Sequence, residues 1–478
     1  MKHFWTRFHP SYPRTIIYML QSSEYNIGNY FIWLNRTKNF LSVTRRRNLD
    51  YTIKASLLLV TAWLILLCVY TFVIYAIIKS IISMDILIAL LGVVLFMISP
   101  MIVAFGITIP LFIGHKLIQE PKQRKTLKAA SDIILKHSAI KIAIAGSYGK
   151  TTAKEILQTV LSETKKVAHT PGNINTPIGI SRFIKKLDHK EDVIIFELGE
   201  ERVGDVRKLC ELTKPDIGVI TGINEAHLSS FGTLELTTAT IFELKGYLGD
   251  KPLYKNTESL LVKAEVTDDD KLAFSRKGVN GWHVSDIKTS IIGTKFVAQK
   301  DDKIISASTG LLGEHNIGTI LVAVDIADSI GLTSVQIEAG INKTKPFEHR
   351  MQPKFIHGAW VIDDTYNGNS EGVQAGLLLL KSLDAKRRIY ITPGLVEQGI
   401  KTKEVHEKIG RQIAKVADVV VLMNNSVTDY ISAGLKESGF DGKLIIADDP
   451  LKFYSNLDAF VAAGDVVLMQ NDWTDNYA

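Results

Sequence analysis

The chain has 478 residues, which is enough for about three domains. Lysine and arginine exceed aspartate and glutamate by 56 to 50, and this mild excess, without a basic stripe interleaved with aromatics, argues against nucleic acid as a partner. The two cysteines, Cys68 and Cys210, argue against a disulfide framework and fit a reducing compartment, because Cys68 lies inside an apolar run.

Residues 1–50 mix aromatic, aliphatic and basic residues, as in "TIIYMLQSSEYNIGNYFIWLNRTKNFL". One interpretation is an amphipathic helix that lies at a membrane interface. The alternative is a small helical cap on a soluble domain, and the sequence leaves both open.

Two uncharged runs follow, at residues 55–78 and 86–114. Each exceeds the roughly 20 apolar residues that cross a bilayer, and neither shows the polar face of a soluble helix. The sequence therefore predicts a transmembrane helical hairpin over residues 51–116. Pro100 and Pro110 are expected to kink or break the second run.

Basic residues flank both runs on their outer sides. Arg36, Lys38, Arg45, Arg46 and Arg47 precede the first run, and Lys116, Lys122, Arg124, Lys125 and Lys128 follow the second. Because positively charged flanks stay in the cytoplasm, both ends of the hairpin should face the cytoplasm. The prediction is a multi-pass protein of the cell membrane whose later domains are cytoplasmic.

From Lys141 the pattern changes to a short apolar run, "KIAIAG", a turn, "SYGK", and a helical pattern, "TTAKEILQTVLSE". A strand, a Gly-rich turn and a helix N-terminus together direct backbone N–H groups and the helix dipole at an anion. The motif is the shorter G-x-x-G-K-T-T, because the first Gly of G-x-x-x-x-G-K-[ST] would fall at Ile144. Lys150 should reach the terminal phosphates of a nucleotide, and Thr151 or Thr152 should bind Mg²⁺. The expected phosphate-loop contacts are Gly146, Ser147, Tyr148, Gly149, Lys150, Thr151 and Thr152.

Segments downstream resemble, in order, motifs of the Mur ligase family. They are "TPGNINTPIGI", "VIIFELG", "GVITGINEAHLSSFGT", "LLGEHNIGTILVAVDIADSIGL", "EHRMQ", "VIDDTYNGNS" and "ITPGLVEQG". The resemblance implies a P-loop central domain over residues 138–344 and a Rossmann-like domain over residues 345–478. Strand and helix patterns also alternate from Arg387 onward, which indicates an α/β fold with a mostly parallel sheet.

The resemblance further implies ATP-dependent amide bond formation. A substrate carboxylate would attack the γ-phosphate to form an acyl phosphate, and an amine would then displace the phosphate. Such an enzyme must neutralise phosphoryl charge and align two substrates, with little covalent chemistry of its own.

Individual roles are implied in the same way. Glu197 and His227 would bind a second Mg²⁺, while Thr151 holds the first beside Lys150. Glu197 ends the apolar strand "VIIFE", where a carboxylate is costly unless it meets a cation or hydrogen-bond donors. The remaining implied residues are Asn256, His315 and Asn316 at the nucleotide, Arg350 at the γ-phosphate, and Asp364 orienting the amine beside Tyr366, Asn367 and Asn369.

Three departures from the family pattern concern the substrates and the metals. The apolar runs stand where a UDP-binding domain is expected. The position of the family's metal-bridging carbamylated lysine is occupied by Ile241, and Lys245, one helical turn further on, is the predicted substitute. The last segment, "VVLMQNDWTDNYA", replaces a V-K-G-S motif.

The sequence favours a membrane-anchored ligase that uses ATP and Mg²⁺ to add an amino acid or dipeptide to a cell-wall precursor. The precursor is lipid-linked or UDP-linked, and the anchor favours the lipid-linked form because tethering raises the local concentration of membrane-held substrates. The alternatives are a ligase acting on another polymer, of γ-glutamyl or pseudomurein type, and a nucleotide-binding membrane scaffold with weak catalysis.

Overall fold

The computed structural model describes residues 4–41, 43, 49–224, 231–267, 269–366, 368–395, 398 and 401–471. The chain divides into two units, Met1–Lys125 and Thr126–Ala478. The described residues of the first unit form helices, whereas the second unit contains three β-sheets with helices between their strands.

The first unit opens with a 3-10 turn at Phe4–Phe8 and continues as helices. They are Tyr12–Ser22 (α1), Ile27–Arg36 (α2), Ile53–Ser83 (α3), Ile86–Gly106 (α4) and Thr108–Gly114 (α5), followed by a π-helical turn at His115–Gln119. The next helix, Glu120–Lys136 (α6), begins in the first unit and ends in the second. Side chains cap the two long helices: Thr52 accepts the Ala55 N–H at 3.2 Å, and Asp85 accepts the Leu87 N–H at 2.9 Å.

The helices α3 and α4 correspond to the two apolar runs. By length and composition, α3 and the helical run that starts at Ile86 are sufficient to cross a membrane, with mean hydropathies of 2.7 and 2.9 in their most apolar windows. Only 17% and 22% of these windows is buried within the protein, which is unlike a pair of core helices. The membrane location itself stays a prediction.

The second apolar run is divided, but not at a proline. Pro100 lies inside α4, which continues to Gly106, and the break falls at Ile107 before α5 begins. Pro110 lies within α5, so neither proline ends a helix in this run.

The N-terminal helices α1 and α2 pack against α3 and α4. Ile16 of α1 shares a buried cluster with Leu58 of α3 and Val103 of α4. The Tyr12 hydroxyl donates to the Pro100 carbonyl oxygen at 3.2 Å, and the Tyr30 hydroxyl donates to that of Ala104 at 3.1 Å. The described part of the N-terminal segment thus belongs to the helical unit, while Arg45, Arg46 and Arg47 lie outside the described residues.

The second unit contains sixteen described strands. They are Ile140–Ala145 (β1), Val167–His169 (β2), Val193–Glu197 (β3), Ile217–Ile220 (β4), Leu253–Asn256 (β5), Ala273–Phe274 (β6), Gly278–Val279 (β7), Trp282–Ser290 (β8), Gly293–Lys300 (β9), Lys303–Thr309 (β10), Gln352–Ile356 (β11), Ala359–Asp364 (β12), Arg387–Thr392 (β13), Val419–Met423 (β14), Lys443–Ala447 (β15) and Asp465–Gln470 (β16).

Its remaining helices connect these strands. They are Lys150–Leu161 (α7), Pro177–Ile184 (α8), Asp205–Thr213 (α9), Leu234–Ile241 (α10), Glu243–Leu248 (α11), Leu260–Lys263 (α12), Ile317–Ser329 (α13), Ser334–Asn342 (α14), Ser370–Ser382 (α15), Thr402–Ile413 (α16), Thr428–Glu437 (α17), Pro450–Ser455 (α18) and Leu457–Phe460 (α19).

The strands form two sheets within the predicted central domain and one sheet within the predicted last domain. The first is parallel, in the order β2-β3-β1-β4-β5-β6. The last has the order β11-β12-β16-β13-β14-β15 and is parallel except for β11. The predicted α/β class is therefore confirmed, while the antiparallel sheet β10-β9-β8-β7 was not anticipated.

Alternate residues of β1 face different cores, as the period of a strand requires. Ile142 belongs to a cluster with Val160 of α7, whereas Ala143 belongs to one with Ala130 and Ile134 of α6. Because these α6 side chains are fully buried, the core of this unit begins before the predicted domain boundary at residue 138. The carboxyl ends of β1, β3 and β4 meet at one edge of the sheet, where ligands bind in such folds.

Candidate active site

The loop after β1 has the geometry of a phosphate-binding loop. Gly146 has φ +143°, and a Cβ there would lie 2.4 Å from Thr221 Oγ1, so only glycine fits. Gly149, at φ +78°, caps the N-terminus of α7. The Ser147 N–H donates to the Gly222 carbonyl oxygen at 2.7 Å, which ties the loop to the end of β4. The predicted strand, turn and helix are all present.

Lys150 pairs with a carboxylate that sequence reasoning did not single out. Its Nζ donates to Glu200 Oε1 at 2.9 Å and Oε2 at 3.0 Å, and it also contacts the Gly146 carbonyl oxygen. The Glu200 side chain is 1% exposed and that of Lys150 is 12% exposed. The only signal in the sequence was the acidic run "ELGEE", which directly follows the strand residue Phe196.

Thr151 and Glu197, which the resemblance assigns to two different Mg²⁺ ions, are in direct contact. Thr151 Oγ1 donates to Glu197 Oε2 at 3.0 Å. The same oxygen accepts from Lys154 Nζ at 3.1 Å, and the Lys154 side chain is completely buried. Lys154 was missed, although its position four residues after Lys150 places both on one face of α7. Burial of Glu197 is thus compensated by a buried lysine.

The described residues include only part of the predicted metal-binding set, and metal binding stays a prediction. Within the described ranges, no group of three His, Cys, Asp or Glu side chains is arranged to hold a metal ion, and His227 lies outside them. Thr151 and Glu197 nevertheless offer hard oxygen donors at 3.0 Å from each other. Mg²⁺ commonly binds through one or two carboxylates together with substrate phosphates, so this donor set fits it.

A cavity of about 650 Å³ lies beside the phosphate loop. It is lined by the predicted nucleotide residues Tyr148, Gly149, Thr152, Asn256, His315, Asn316 and Arg350. Arg276, which was not predicted, also lines it and donates to Glu258 through Nε at 2.8 Å and through a terminal nitrogen at 2.7 Å. Burial and the nearby Arg276 charge lower the pKa of His315 to about 4, so this ring is neutral at pH 7.

A second cavity, of about 330 Å³, joins the phosphate loop to the last domain. Its lining brings together Lys150, Thr151, Glu197, Arg350, Tyr366 and Asn369. The Arg350 guanidinium lies 4.8 Å from the centre of the Tyr366 ring, and the Tyr366 hydroxyl accepts a hydrogen bond from Asn173 at 2.9 Å. Arg350 lines both cavities, and its predicted contact with the γ-phosphate stays a prediction.

Asp364 lies at the larger cavity above a buried hydrogen-bond chain. The Tyr390 hydroxyl donates to Gln470 Oε1 at 2.8 Å, and Gln470 Nε2 donates to Asp364 Oδ2 at 2.8 Å. Burial raises the pKa of Asp364 to about 6, against the opposing effects of Gln470 and of the Met351 N–H. Gln470 belongs to the segment that departs from the family motif, and it was not predicted as a site residue.

Asn369 and Asn367 are the other two asparagines predicted to lie near Asp364. Asn369 lines both cavities, and its side chain also accepts the Gly372 N–H at 2.8 Å, capping α15. Asn367 lies outside the described residues.

The raised pKa of Asp364 predicts a pH-dependent rate. If its carboxylate orients the amine, kcat should fall about tenfold per pH unit below about 6, because the protonated form cannot accept the amine's hydrogen bond. Asp364→Asn should remove this limb. Gln470→Leu should shift it to higher pH, because the lost amide N–H favours the ionised carboxyl. The measurement is kcat from pH 4.5 to 8, with the exposed Asp441→Asn as control; an unshifted limb in Gln470→Leu would contradict the assignment.

Lys245 is not part of this site, which corrects the prediction made for it. Lys245 is exposed on α11 and lines neither cavity. Ile241 ends the preceding helix and is 0% exposed in a hydrophobic cluster. Glu243 accepts the N–H groups of Gly204 and Arg207 at 2.8 and 2.9 Å, so it caps α9. The expectation that residues 241 and 245 share a face toward the metals was wrong because α10 ends at Ile241 and a new helix starts at Glu243.

Two sequence models of the Mur ligase family match the chain. The Mur ligase middle domain matches residues 144–327, and the Mur ligase, glutamate ligase domain matches residues 349–470. These ranges include the phosphate loop, both cavities' charged residues and the Asp364 hydrogen-bond chain.

Individual proteins similar to this chain are also named as ligases of cell-wall precursors. The chain is 26% identical over 313 residues to a UDP-N-acetylmuramoyl-tripeptide--D-alanyl-D-alanine ligase from Synechocystis sp., a match that covers 64% of this chain and 67% of that protein. It is 31% identical over 281 residues to the ligase of that name from Borreliella burgdorferi, covering 56% of this chain and 59% of the relative. The similarity thus spans roughly three-fifths to two-thirds of these relatives' length.

Solved structures show the same fold. MurF from Acinetobacter baumannii superposes with a TM-score of 0.64 at 20% identity, covering 73% of this chain and 77% of that one. MurF ligase from Thermotoga maritima, solved in complex with ADP, gives 0.63 at 24% identity, covering 73% and 80%. At these identities the likeness extends to the fold alone.

Proposed function

Because this chain belongs to the Mur ligase family, we propose that it is an ATP-dependent ligase that joins an amino acid or dipeptide to the carboxylate of a cell-wall precursor. The two family models together match well over half of the chain. Two of the proposed substrates follow the relatives' names: a UDP-N-acetylmuramoyl-tripeptide as the acceptor and D-alanyl-D-alanine as the amine. A lipid-linked counterpart of that acceptor is the second candidate, which the apolar helices suggest.

The observation that carries this proposal is the grouping of Lys150, Arg350 and Glu197 around one cavity. Lys150 comes from the phosphate loop and Arg350 from the last domain, so positive charge approaches a terminal phosphate from two sides. Phosphoryl transfer depends on such charge neutralisation and on alignment of the reactants rather than on covalent participation of the protein.

In the proposed reaction, a carboxylate oxygen of the acceptor bonds to the γ-phosphorus and the bond to ADP breaks. The amine nitrogen then bonds to the acyl carbon, the carbon–oxygen bond to phosphate breaks, and the nitrogen loses a proton. The loop N–H groups and Lys150 would bind the phosphates, Arg350 would close over the γ-phosphate, and Asp364 would hold the amine and accept its proton. Mg²⁺, held by Thr151 and Glu197, would supply additional neutralisation of phosphate charge.

The test is a substrate panel with the full-length protein in detergent. ATP and D-alanyl-D-alanine are incubated with UDP-linked and lipid-linked muramoyl-tripeptides, and the masses of the products are measured by mass spectrometry. The proposal predicts an acceptor that gains the dipeptide, with one ADP and one phosphate released per product. ATP cleavage without any acceptor gaining mass would reject these muramoyl-tripeptides as substrates and favour a ligase that acts on another polymer.

We propose in addition that α3 and α4 hold this ligase at the cell membrane, with the α/β unit in the cytoplasm and a lipid-linked acceptor. The support is the length and exposed apolar surface of these helices. The retained Lys150 and Glu197 favour an active enzyme over a scaffold.

A truncation tests the role of the membrane segment. A variant starting at Thr126 keeps Ala130 and Ile134, whose burial the α/β core needs, and should therefore fold. We expect it to turn over the lipid-linked acceptor at least about tenfold more slowly than the full-length protein in vesicles, because tethering no longer concentrates it. Equal rates on a soluble UDP-linked acceptor for both forms, exceeding the lipid-linked rate, would show that the segment only localises the enzyme.

A further inference from the structure

Arg350 lies between two residues whose backbone conformation is unfavourable. His349 has φ +58° and Met351 has φ +46°, which is the left-handed region that residues other than glycine seldom adopt. Such conformations cost free energy and persist only where surrounding contacts fix them. The segment connects the central domain to the last domain, because α14 ends at Asn342 and β11 begins at Gln352.

The carboxyl end of β12 and the turn after it fix this backbone. The Tyr366 N–H donates to the His349 carbonyl oxygen at 3.3 Å, and the Met351 N–H donates to Asp364 Oδ1 at 3.2 Å. His349 Nδ1 also lies 3.0 Å from Asp363 Oδ2. Because β12 pairs with β11 on one side and with β16 on the other, it is a firm support for the strained segment.

Tyr366 contacts the arginine side chain and the central domain at the same time. Its ring centre lies 4.8 Å from the Arg350 guanidinium, and its hydroxyl accepts from Asn173 Nδ2 at 2.9 Å. Asn173 belongs to the loop between β2 and α8, and the carbonyl oxygen of the preceding residue, Gly172, accepts from the fully buried Lys154 Nζ. A residue of the last domain is thus held from the phosphate-loop side.

These contacts bear on how Arg350 can act. An arginine side chain has several rotatable bonds, so holding it in one geometry costs conformational entropy. Stacking on an aromatic face restricts the guanidinium plane and leaves its edge free to donate hydrogen bonds to a phosphate. Rates that depend on alignment of the reactants are sensitive to such restriction.

We propose that Tyr366 is a positioning residue for Arg350 and that Asn173 supports it from the central domain. The hydroxyl contact sets the plane of the tyrosine ring, and the ring holds the guanidinium at the smaller cavity. The contacts of the carboxyl end of β12 fix the direction in which the arginine leaves the backbone. This inference rests on the proposed function, which assigns Arg350 to the γ-phosphate.

The test measures single-turnover phosphate release and ATP affinity with the full-length protein. The reaction contains ATP, D-alanyl-D-alanine, and both the UDP-linked and the lipid-linked muramoyl-tripeptide. The variants are Tyr366→Leu, Tyr366→Phe, Asn173→Ala and the double variant Asn173→Ala/Tyr366→Phe, each made in the wild type and in Arg350→Ala. The control is Asn342→Ala, because Asn342 is exposed at the end of α14 and lines neither cavity.

In the wild-type background, Tyr366→Leu should slow phosphate release about tenfold, because it removes the stacked ring. Tyr366→Phe and Asn173→Ala should each slow it about threefold, and the double variant should be no slower, because both changes remove the same hydrogen bond. The ATP dissociation constant should change less than about twofold in each variant, and Asn342→Ala should match the wild type.

The Arg350→Ala background separates positioning from every other role of Tyr366. There we expect each substitution to slow phosphate release by less than about twofold, since no guanidinium remains to be held. If Tyr366→Leu slows the reaction equally in both backgrounds, Tyr366 acts independently of Arg350, and the inference is overturned while the proposed function stands. A wild type that releases no phosphate in this mixture would overturn both.

Discussion

Replacing Lys150 with alanine is expected to lower ATP cleavage by about 10²–10³-fold while leaving the protein folded. Lys150 Nζ is the phosphate-loop cation, and it lies at the N-terminus of α7, where backbone N–H groups also point at an anion. Under the proposed function, the substitution removes the positive charge that would meet the developing charge on the transferred phosphoryl group. The measurement is phosphate release by purified protein with acceptor and amine present, alongside ATP affinity.

The control for this experiment is Lys245→Ala. Lys245 is an exposed lysine outside both cavities, so its removal should leave ATP cleavage unchanged. A Lys150→Ala protein that releases phosphate at the wild-type rate would contradict the assignment of the phosphate loop. An inactive Lys245→Ala protein would reinstate Lys245 as a metal-site residue.

Replacing Arg350 with alanine should lower kcat by about 10²-fold while changing the ATP dissociation constant by less than about threefold. Arg350 lines both cavities and stacks on Tyr366 of the last domain. Its guanidinium would therefore act chiefly once the last domain meets the γ-phosphate. Single-turnover phosphate release separates this effect from nucleotide binding.

Arg350→Lys is the informative companion to that variant. Lysine keeps the charge but lacks the planar fork that donates two hydrogen bonds to a phosphate and stacks on an aromatic ring, so only part of the rate should return. A loss of ATP affinity equal to the loss of kcat in Arg350→Ala would contradict a role in phosphoryl transfer and indicate a simple binding residue.

The part of the site that could be predicted from sequence is the part encoded locally. Lys150 and Thr151 follow a strand and a glycine turn within one short segment, and their neighbours dictate the local backbone. Glu197, which lies 46 residues from Thr151 and accepts its hydrogen bond, was singled out only through the family resemblance, although parallel strands that end at one sheet edge explain why the two side chains meet.

The contacts that escaped prediction join residues whose sequence neighbourhoods carry little signal. Glu200 and Lys150 are 50 residues apart, and Gln470 and Asp364 are 106 apart. In the sequence, a glutamate or glutamine after an apolar strand is most simply interpreted as a solvent-exposed residue at the end of that strand. Its burial becomes evident only in the folded structure. Lys245 was misassigned for a related reason, because its helical spacing from Ile241 assumed one helix where the chain forms two.

The first unit shows the same limit. Its two apolar helices were predictable from composition alone, because uncharged runs of that length seldom form any structure other than a long apolar helix. The packing of α1 and α2 against them was not, since it depends on hydroxyl contacts from Tyr12 and Tyr30 to carbonyl groups more than 70 residues away.

The most direct test of the central claim follows one oxygen atom. The acceptor's terminal carboxylate is labelled with ¹⁸O and incubated with ATP, D-alanyl-D-alanine and the full-length protein, and the released phosphate is analysed by mass spectrometry. The acyl-phosphate route predicts one ¹⁸O in each phosphate, because the oxygen that attacked the γ-phosphorus leaves with it when the amine displaces it. Amide product accompanied by unlabelled phosphate would contradict the account.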